Sequence, residues 1–192
     1  MQLFFVGDSI TLGVNDPDRL GWTGRVCRRL DPEGDRITAY NLGVRASTTR
    51  HIRERWRQEV YERVVRGTGS LLIFSFGAPD FANGLSSAQS LSNARNILGS
   101  ASGEQRVIFI CPPPMRNPQR DSSTKELADG FVELCRELDI PCLDLNYSLR
   151  QNGAYLDDIG RGDGVHPGKA GYGIMADMVY DFLSPFVTPL LD

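Results

Sequence analysis

The sequence predicts an α/β protein, a three-layer α/β/α sandwich in which helices cover both faces of a parallel five-stranded sheet. Short and almost continuously apolar runs are typical of strands that are buried on both faces. Segments with the periodicity of amphipathic helices separate these runs, and such alternation favours right-handed crossovers between parallel strands. The 192 residues suffice for one well-buried core, so we expect a single domain over residues 1–192.

The five predicted strands are rich in apolar, aromatic and β-branched residues, and each ends at glycine, proline or asparagine. They occupy residues 3–6, 37–42, 71–77, 107–111 and 140–145. The run at 71–77 is the most continuously apolar, which places it at the centre of the sheet. Three consecutive prolines at 112–114 end the fourth strand.

The predicted helices follow from apolar residues spaced three and four apart. A short helix carries Trp22, Val26 and Leu30 on one face, and a longer helix is capped by Thr48 or Thr49 and ends at the glycines near residue 67. Further helices are predicted around residues 88–98, between residues 121 and 140, and over residues 169–183. The polar stretch 146–163 has no periodicity that assigns it.

The charge balance argues against a general affinity for nucleic acid. The chain carries 24 acidic and 21 basic residues, for a net charge of −3, whereas nucleic-acid binding depends on phosphate neutralisation by basic residues. Residues 45–66 are a local exception, with seven arginines against three glutamates. We interpret them as a solvated helix face with i,i+4 ion pairs such as Glu59 with Arg63.

The four cysteines show no C-x-x-C spacing, so we expect buried free thiols rather than a disulfide or zinc framework. Free thiols favour a reducing compartment. The first residues have no basic segment of the kind that begins a signal peptide, and no apolar segment approaches transmembrane length. We therefore expect a cytoplasmic protein without stable membrane association and without a metal or other cofactor.

Three residues suggest nucleophilic catalysis. Ser9 directly follows the first strand, at the edge where open parallel sheets bind their ligands. A nucleophilic serine needs a base, a group that orients the base, and donors for the developing oxyanion. His166 lies in a loop directly before the last helix, and Asp163 lies three residues upstream, where a turn can bring it to the imidazole. Turn or capping roles explain each residue alone, but not the three together.

Four motifs lie at predicted strand ends or before the last helix. They are Gly7-Asp8-Ser9-Ile10, Asn41-Leu42-Gly43, Gly77-Ala78-Pro79-Asp80 and Asp163-Gly164-Val165-His166-Pro167. In this order the chain resembles the SGNH hydrolases, the GDSL-like lipase and esterase family. The resemblance implies a flavodoxin-like sheet and a triad in which Ser9 is the nucleophile, His166 the base and later the acid, and Asp163 the group that orients the imidazole.

The same resemblance implies an oxyanion hole built from the backbone N–H groups of Ser9 and Gly43 and an asparagine side chain from the third motif. Pro79 stands at the asparagine position, and proline offers neither a side-chain donor nor a backbone N–H. Three explanations are open: Asn83 folds back to supply the donor, the two backbone groups suffice, or the protein binds a ligand without catalysis.

The function that follows is a serine esterase that hydrolyses small to medium acyl or acetyl esters through an acyl-enzyme, with a small-molecule ester as its partner. The alternative is a non-catalytic ligand-binding protein of the same fold, for which Pro79 is the reason. A nucleotide or flavin site of the flavodoxin type is a third possibility. It lacks a Walker or G-x-G-x-x-G motif and leaves Asp163 and His166 without a role.

Overall fold

The computed structural model describes residues 1–191 and is built on a five-stranded, entirely parallel sheet in the order β2-β1-β3-β4-β5. The strands are β1 Gln2–Gly7, β2 Thr38–Gly43, β3 Ser70–Ser75, β4 Arg106–Ile110 and β5 Cys142–Leu143. The strand order is that of flavodoxin-like folds. Strand β3 occupies the central position, as its continuous apolar run predicts.

Eight α-helices alternate with and follow the strands within the described residues. They are α1 Ser9–Leu12, α2 Gly21–Leu30, α3 Thr49–Tyr61, α4 Ser87–Ser102, α5 Pro118–Glu137, α6 Leu145–Leu149, α7 Gly153–Arg161 and α8 Lys169–Val187. A 3₁₀ turn covers Phe81–Asn83 and another Thr188–Leu190. In the part of the chain described here, no helix combines the length and hydropathy needed to cross a membrane.

The helix boundaries depart from the sequence expectation in three places. The polar stretch without periodicity forms α6 and α7, which are short helices capped by the side chains of Asp144 and Asn152. Helix α3 ends at Tyr61, well before the predicted glycines. Helix α5 begins at Pro118 rather than after residue 121, because Asn117 caps its first turn and proline is favoured at the first helical position.

Two separate apolar layers enclose the sheet, which confirms the three-layer arrangement. Alternate residues of β1 point to opposite faces, so Phe4 joins the layer under α3, α4 and α5, whereas Leu3 joins the layer under α2, α7 and α8. Trp56 of α3 is buried in the first layer and Trp22 of α2 in the second. Because both faces are covered, the edge at the carboxyl ends of the strands is the place left for a site.

Candidate active site

The end of β1 brings Ser9 to the edge of the sheet through a tight turn. Asp8 Oδ1 accepts a 2.9 Å hydrogen bond from the Ile10 N–H and caps α1. A Cβ added to Gly7 would lie 2.1 Å from both the Ser75 carbonyl oxygen and the Thr11 hydroxyl, so only glycine fits there. The turn leaves Ser9 6% exposed, as the first residue of α1.

The structure brings the three predicted triad residues into one hydrogen-bonded chain. His166 Nε2 lies 2.8 Å from Ser9 Oγ, and His166 Nδ1 lies 2.6 Å from Asp163 Oδ2. A carboxylate can only accept, so the imidazole hydrogen resides on Nδ1 in the neutral ring. Nε2 is then left to accept the Ser9 hydroxyl hydrogen, which is the arrangement that a general base requires.

Asp163 also organises the loop that carries His166. Its Oδ1 accepts backbone hydrogen bonds from Val165 at 2.9 Å and His166 at 2.8 Å. Partial burial acts to raise the pKa of Asp163, but the hydrogen bonds from His166 and Val165 outweigh it and lower that pKa to about 2. The Asp163 carboxylate therefore remains charged at neutral pH.

Two neighbouring loops hold the His166 loop in place. Asn15, which follows α1, donates its side-chain amide to the His166 carbonyl oxygen at 3.3 Å. The Arg116 N–H donates to the Gly164 carbonyl oxygen at 2.8 Å, and Gly164 adopts a left-handed φ of 76°. The imidazole is thus positioned by loops that follow β1 and β4 as well as by its own turn.

Gly43 has a packing role that differs from the predicted one. Its N–H donates to Asn41 Oδ1 at 2.9 Å, so this group is engaged within its own turn rather than free for an oxyanion. A Cβ at Gly43 would lie 2.3 Å from the Leu12 N and 2.9 Å from the Asp8 carbonyl oxygen. The glycine therefore lets the end of β2 approach the backbone of α1.

The loop after Gly43 contains backbone N–H groups that no sequence motif singled out. Ala46 has a left-handed φ of 59°, which is uncommon for a residue with a Cβ. Within residues 1–191 the Arg45 and Ala46 N–H groups have no recorded acceptor, and neither does the N–H of Ser9 at the start of α1. A non-glycine residue in a left-handed conformation cannot be recognised from sequence, so no signal pointed to Ala46.

Asn83 does not take the place of the asparagine that Pro79 replaces. It ends the 3₁₀ turn, and its side-chain amide donates to the Pro79 carbonyl oxygen at 2.7 Å. The tight turn brings the amide back over the residue four positions earlier and occupies it there. The exposed side chain instead lines a cavity between α3 and α4.

Asp80 is a fully buried anchor that joins three segments. Its Oδ1 accepts from the Thr49 N–H at 2.9 Å, and its Oδ2 accepts from the hydroxyls of Thr49 and Ser90, each at 2.6 Å. Thr49 begins α3 and Ser90 lies in the first turn of α4. The carboxylate thus fixes the loop after β3 to the starts of both helices.

Arg55 ties the ends of the first two strands together. Its guanidinium donates to the Gly7 carbonyl oxygen at 2.8 Å, to the Leu42 carbonyl oxygen at 3.0 Å and to Ser47 Oγ at 3.3 Å. Glu59 balances its charge at 2.5 Å. In a segment with seven arginines, no sequence pattern distinguishes this one, because its partners are carbonyl groups brought together only by the fold.

Asp8 is a buried carboxyl group beside the candidate nucleophile. Burial raises its pKa, backbone hydrogen bonds from Ile10, Ala78 and Thr11 lower it, and the nearby Asp80 raises it, with a net value of about 7. The protonated form is therefore the one that the fold favours. Such a group favours the folded state below its unfolded pKa, and this contribution is lost as the pH rises through its folded value.

We expect the free energy of unfolding of the Asp8→Asn variant, relative to that of the unmodified protein, to increase as the pH rises from about 4 to about 7. Asparagine keeps an acceptor for the Ile10 N–H and does not ionise. The difference in the free energy of unfolding should change by at most ~4 kcal/mol across this window, because each pKa unit corresponds to about 1.4 kcal/mol. Urea unfolding at pH 4.5 and pH 7.5 measures it.

The neighbouring Thr11→Val is the control for this measurement. It removes the Thr11 hydroxyl, which donates to the Ser75 carbonyl oxygen, and adds no titrating group. Its effect on the free energy of unfolding should be the same at both pH values. If Asp8→Asn changed the free energy of unfolding equally at both pH values, the raised pKa of Asp8 would be contradicted.

Comparison with known proteins identifies the family of this chain and supports its fold. The model of the GDSL-like Lipase/Acylhydrolase family matches residues 5–174. No curated protein matches the chain. Among solved structures, the lipase/acylhydrolase from Enterococcus faecalis is 22% identical with a TM-score of 0.82, over 98% of this chain and 97% of that one.

Two further solved structures are similar. The psychrotrophic esterase EstA from Pseudoalteromonas sp., in a form inhibited by monoethylphosphonate, is 16% identical with a TM-score of 0.75, over 97% of this chain and 98% of that one. Axe2, an acetylxylan esterase from Geobacillus stearothermophilus, is 18% identical with a TM-score of 0.74, over 95% and 93%. These likenesses establish the fold, and the family match spans most of the sequence. This protein therefore belongs to the GDSL-like lipase/acylhydrolase family of hydrolases.

Proposed function

We propose that this protein is a serine esterase, acting as a single domain over residues 1–192, that hydrolyses small to medium acyl or acetyl esters. The observation that carries the proposal is the unbroken chain of contacts from Ser9 Oγ through the imidazole of His166 to the Asp163 carboxylate. The family match supports acyl-ester chemistry, and the description of Axe2 as an acetylxylan esterase supports acetyl esters as a first substrate class.

The proposed reaction has two acyl transfers. Ser9 Oγ bonds to the ester carbonyl carbon while its proton moves to His166 Nε2, and Asp163 stabilises the resulting imidazolium. The carbon–oxygen bond to the alcohol then breaks, and the His166 proton passes to the departing oxygen. A water molecule, deprotonated by the same nitrogen, attacks the acyl-Ser9 ester, releases the carboxylic acid and restores the serine.

The negative oxygen of each tetrahedral intermediate needs donors. We propose the Ser9 N–H at the start of α1 as one donor, and the N–H groups of Arg45 and Ala46 in the loop after β2 as the others, since none of the three has an acceptor within residues 1–191. Pro79 supplies none, and the loss of one donor costs on the order of 10²–10³ in kcat in a studied protease. That cost slows a triad enzyme but leaves most of its rate enhancement.

A fluorophosphonate probe tests the proposal, because it reacts with a serine that a base activates beside oxyanion donors. We expect mass mapping to find the adduct on Ser9, with no adduct at this peptide in Ser9→Ala. In His166→Ala the labelling rate should fall by roughly 10²–10⁴-fold, the size of a general-base contribution. Labelling of Ser9 at an unchanged rate in His166→Ala would contradict the triad.

The same experiment decides the second candidate function. Pro79, in place of a side-chain donor, favours a non-catalytic ligand-binding member of the same fold. That function predicts an unlabelled Ser9 in folded protein and no turnover of short-chain esters. Labelling at Ser9 together with hydrolysis that Ser9→Ala abolishes would exclude it.

A further inference from the structure

A cavity of about 570 Å³ opens between the start of α3, the loop after β3 and the start of α4. Its volume lies in the usual range for small-molecule pockets. Two arginines and several uncharged polar side chains line it, among them Arg50, Arg53, Asn83, Gln89, Ser92 and Asn93. Among residues 1–191 no acidic side chain lines it, although the chain as a whole has a net charge of −3. We call it the arginine cavity.

The two arginines differ from others on the same helix because no carboxylate neutralises them. Within residues 1–191, Arg50 makes no side-chain hydrogen bond or ion pair, and Arg53 makes one hydrogen bond, to Asn93 Oδ1 at 2.8 Å. Arg55 and Arg57, in contrast, pair with Glu59 and Glu104. On α3, the arginines without a carboxylate partner among residues 1–191 are therefore the two that line this cavity.

The pairing of Glu59 also departs from the sequence expectation. Glu59 forms its ion pair with Arg55, whereas Arg63 donates to the Glu59 backbone carbonyl oxygen at 2.6 Å. The segment is thus no uniform solvated face with regular i,i+4 pairs. Arg55 binds the carbonyl groups at the ends of β1 and β2, and Arg57 forms a surface ion pair with Glu104. Arg50 and Arg53 line the arginine cavity.

The wall of the cavity is fixed to the loop that adjoins the nucleophile. Asn93 is 7% exposed, and its amide donates to Thr49 Oγ1 at 3.1 Å, which in turn donates to the buried Asp80. The charge of Asp80 acts to raise the pKa of Asp8, the residue before Ser9. Because β1 lies between β2 and β3, the loops after these two strands flank Ser9, and both lead to the elements around the cavity.

We propose that the arginine cavity binds an anionic group, a carboxylate or a phosphate, carried by the ester substrate while its ester bond lies at Ser9. As a statement about a substrate, it rests on the proposed esterase function. Guanidinium groups form charge-assisted and bidentate hydrogen bonds with such anions. The amide of Gln89 and the hydroxyl of Ser92 offer further donors. The absence of lining carboxylates leaves nothing that competes with the ligand.

Matched ester pairs test the proposal and distinguish the source of the anion. One pair compares mono-4-nitrophenyl succinate with 4-nitrophenyl butyrate, which places a carboxylate on the acyl part. The other compares 1-acetylglycerol 3-phosphate with 1-acetylglycerol, which places a phosphate on the alcohol part. For at least one pair, the anionic-to-neutral ratio of kcat/KM should fall roughly tenfold in Arg50→Gln and in Arg53→Gln, as expected for a charged hydrogen bond.

Arg57→Gln is the matched control, because it removes one positive charge from the same helix outside the cavity. It should keep the wild-type ratio for both pairs. Added salt should lower the wild-type ratio, because ions screen exposed charges. A double Arg50→Gln/Arg53→Gln variant that keeps the wild-type ratio for both pairs would overturn the proposal.

Direct binding separates a failure of this inference from a failure of the esterase function. Calorimetric titration of Ser9→Ala with succinate and with inorganic phosphate needs no turnover. Binding of either anion that weakens roughly tenfold without Arg50 or Arg53 would support the cavity even if no ester is hydrolysed. The contrary result is a wild-type protein that hydrolyses neutral esters, binds neither anion and shows no preference for the charged esters. That result would refute anion binding in the arginine cavity and leave the esterase function intact.

Discussion

Ser9→Ala and His166→Ala are each expected to lower kcat for a short-chain neutral ester by roughly 10⁴–10⁶-fold, the range found when a triad member is removed from a studied protease. The two side chains act as a unit, since the 2.8 Å contact between Ser9 Oγ and His166 Nε2 is the path of the proton. Without either partner there is no activated nucleophile. Initial rates with 4-nitrophenyl acetate at pH 7.5, corrected for spontaneous hydrolysis, measure the effect.

The double variant Ser9→Ala/His166→Ala adds a test, because the effects of the two substitutions on kcat should not add. The kcat of the double variant should be no lower than that of either single variant, because removing one of the two side chains already abolishes activation of the nucleophile. His51→Gln is the matched control. This exposed histidine caps α3 through Thr48, and glutamine can form the same capping box. A Ser9→Ala protein with more than about 1% of wild-type activity would contradict the assignment of the nucleophile.

The parts of the structure that the sequence predicted depend on local chemistry. The runs of β1, β3 and β4 are strands because their residues favour a pleated surface buried on both sides, and the run of β3 is central because it is the most continuously apolar. Ser9 and His166 could be paired from sequence although 157 positions separate them. In a parallel sheet, strand ends and helix starts converge at one edge, so the topology alone brings such residues together.

The parts that the sequence did not predict depend on tertiary contacts. Arg55 finds its carbonyl partners only when β1 and β2 lie side by side, and the Gly43 N–H is engaged by Asn41 through a turn that no motif specifies. Helices α6 and α7 are short, so side-chain caps and packing rather than periodicity determine them. The partners of Arg55 are distant in sequence and are backbone groups without a sequence signature.

Asp80 should carry the largest effect of a single carboxylate on stability. Its replacement by alanine leaves the Thr49 N–H and the hydroxyls of Thr49 and Ser90 without their acceptor in a fully buried position. Each buried unsatisfied group costs roughly 1–3 kcal/mol. Release of the repulsion between Asp80 and Asp8 offsets part of this cost. We expect Asp80→Ala to lower the free energy of unfolding at pH 7 by about 3 kcal/mol, measured by urea denaturation.

Two further variants show whether the acceptor or the charge matters. Asp80→Asn keeps one acceptor oxygen, and the two hydroxyls can rotate to accept from its amide, so its cost should be about half as large. Asp129→Ala removes an exposed carboxylate that pairs with Lys125, and should cost no more than about 0.5 kcal/mol. Loss of the Asp80 charge should also move the pH-dependent fall in stability due to Asp8 to lower pH, because the repulsion that raises the pKa of Asp8 is gone. An Asp80→Ala protein as stable as Asp129→Ala would show that the loop after β3 is held by other contacts, and that the carboxylate at the junction of α3 and α4 is not its anchor.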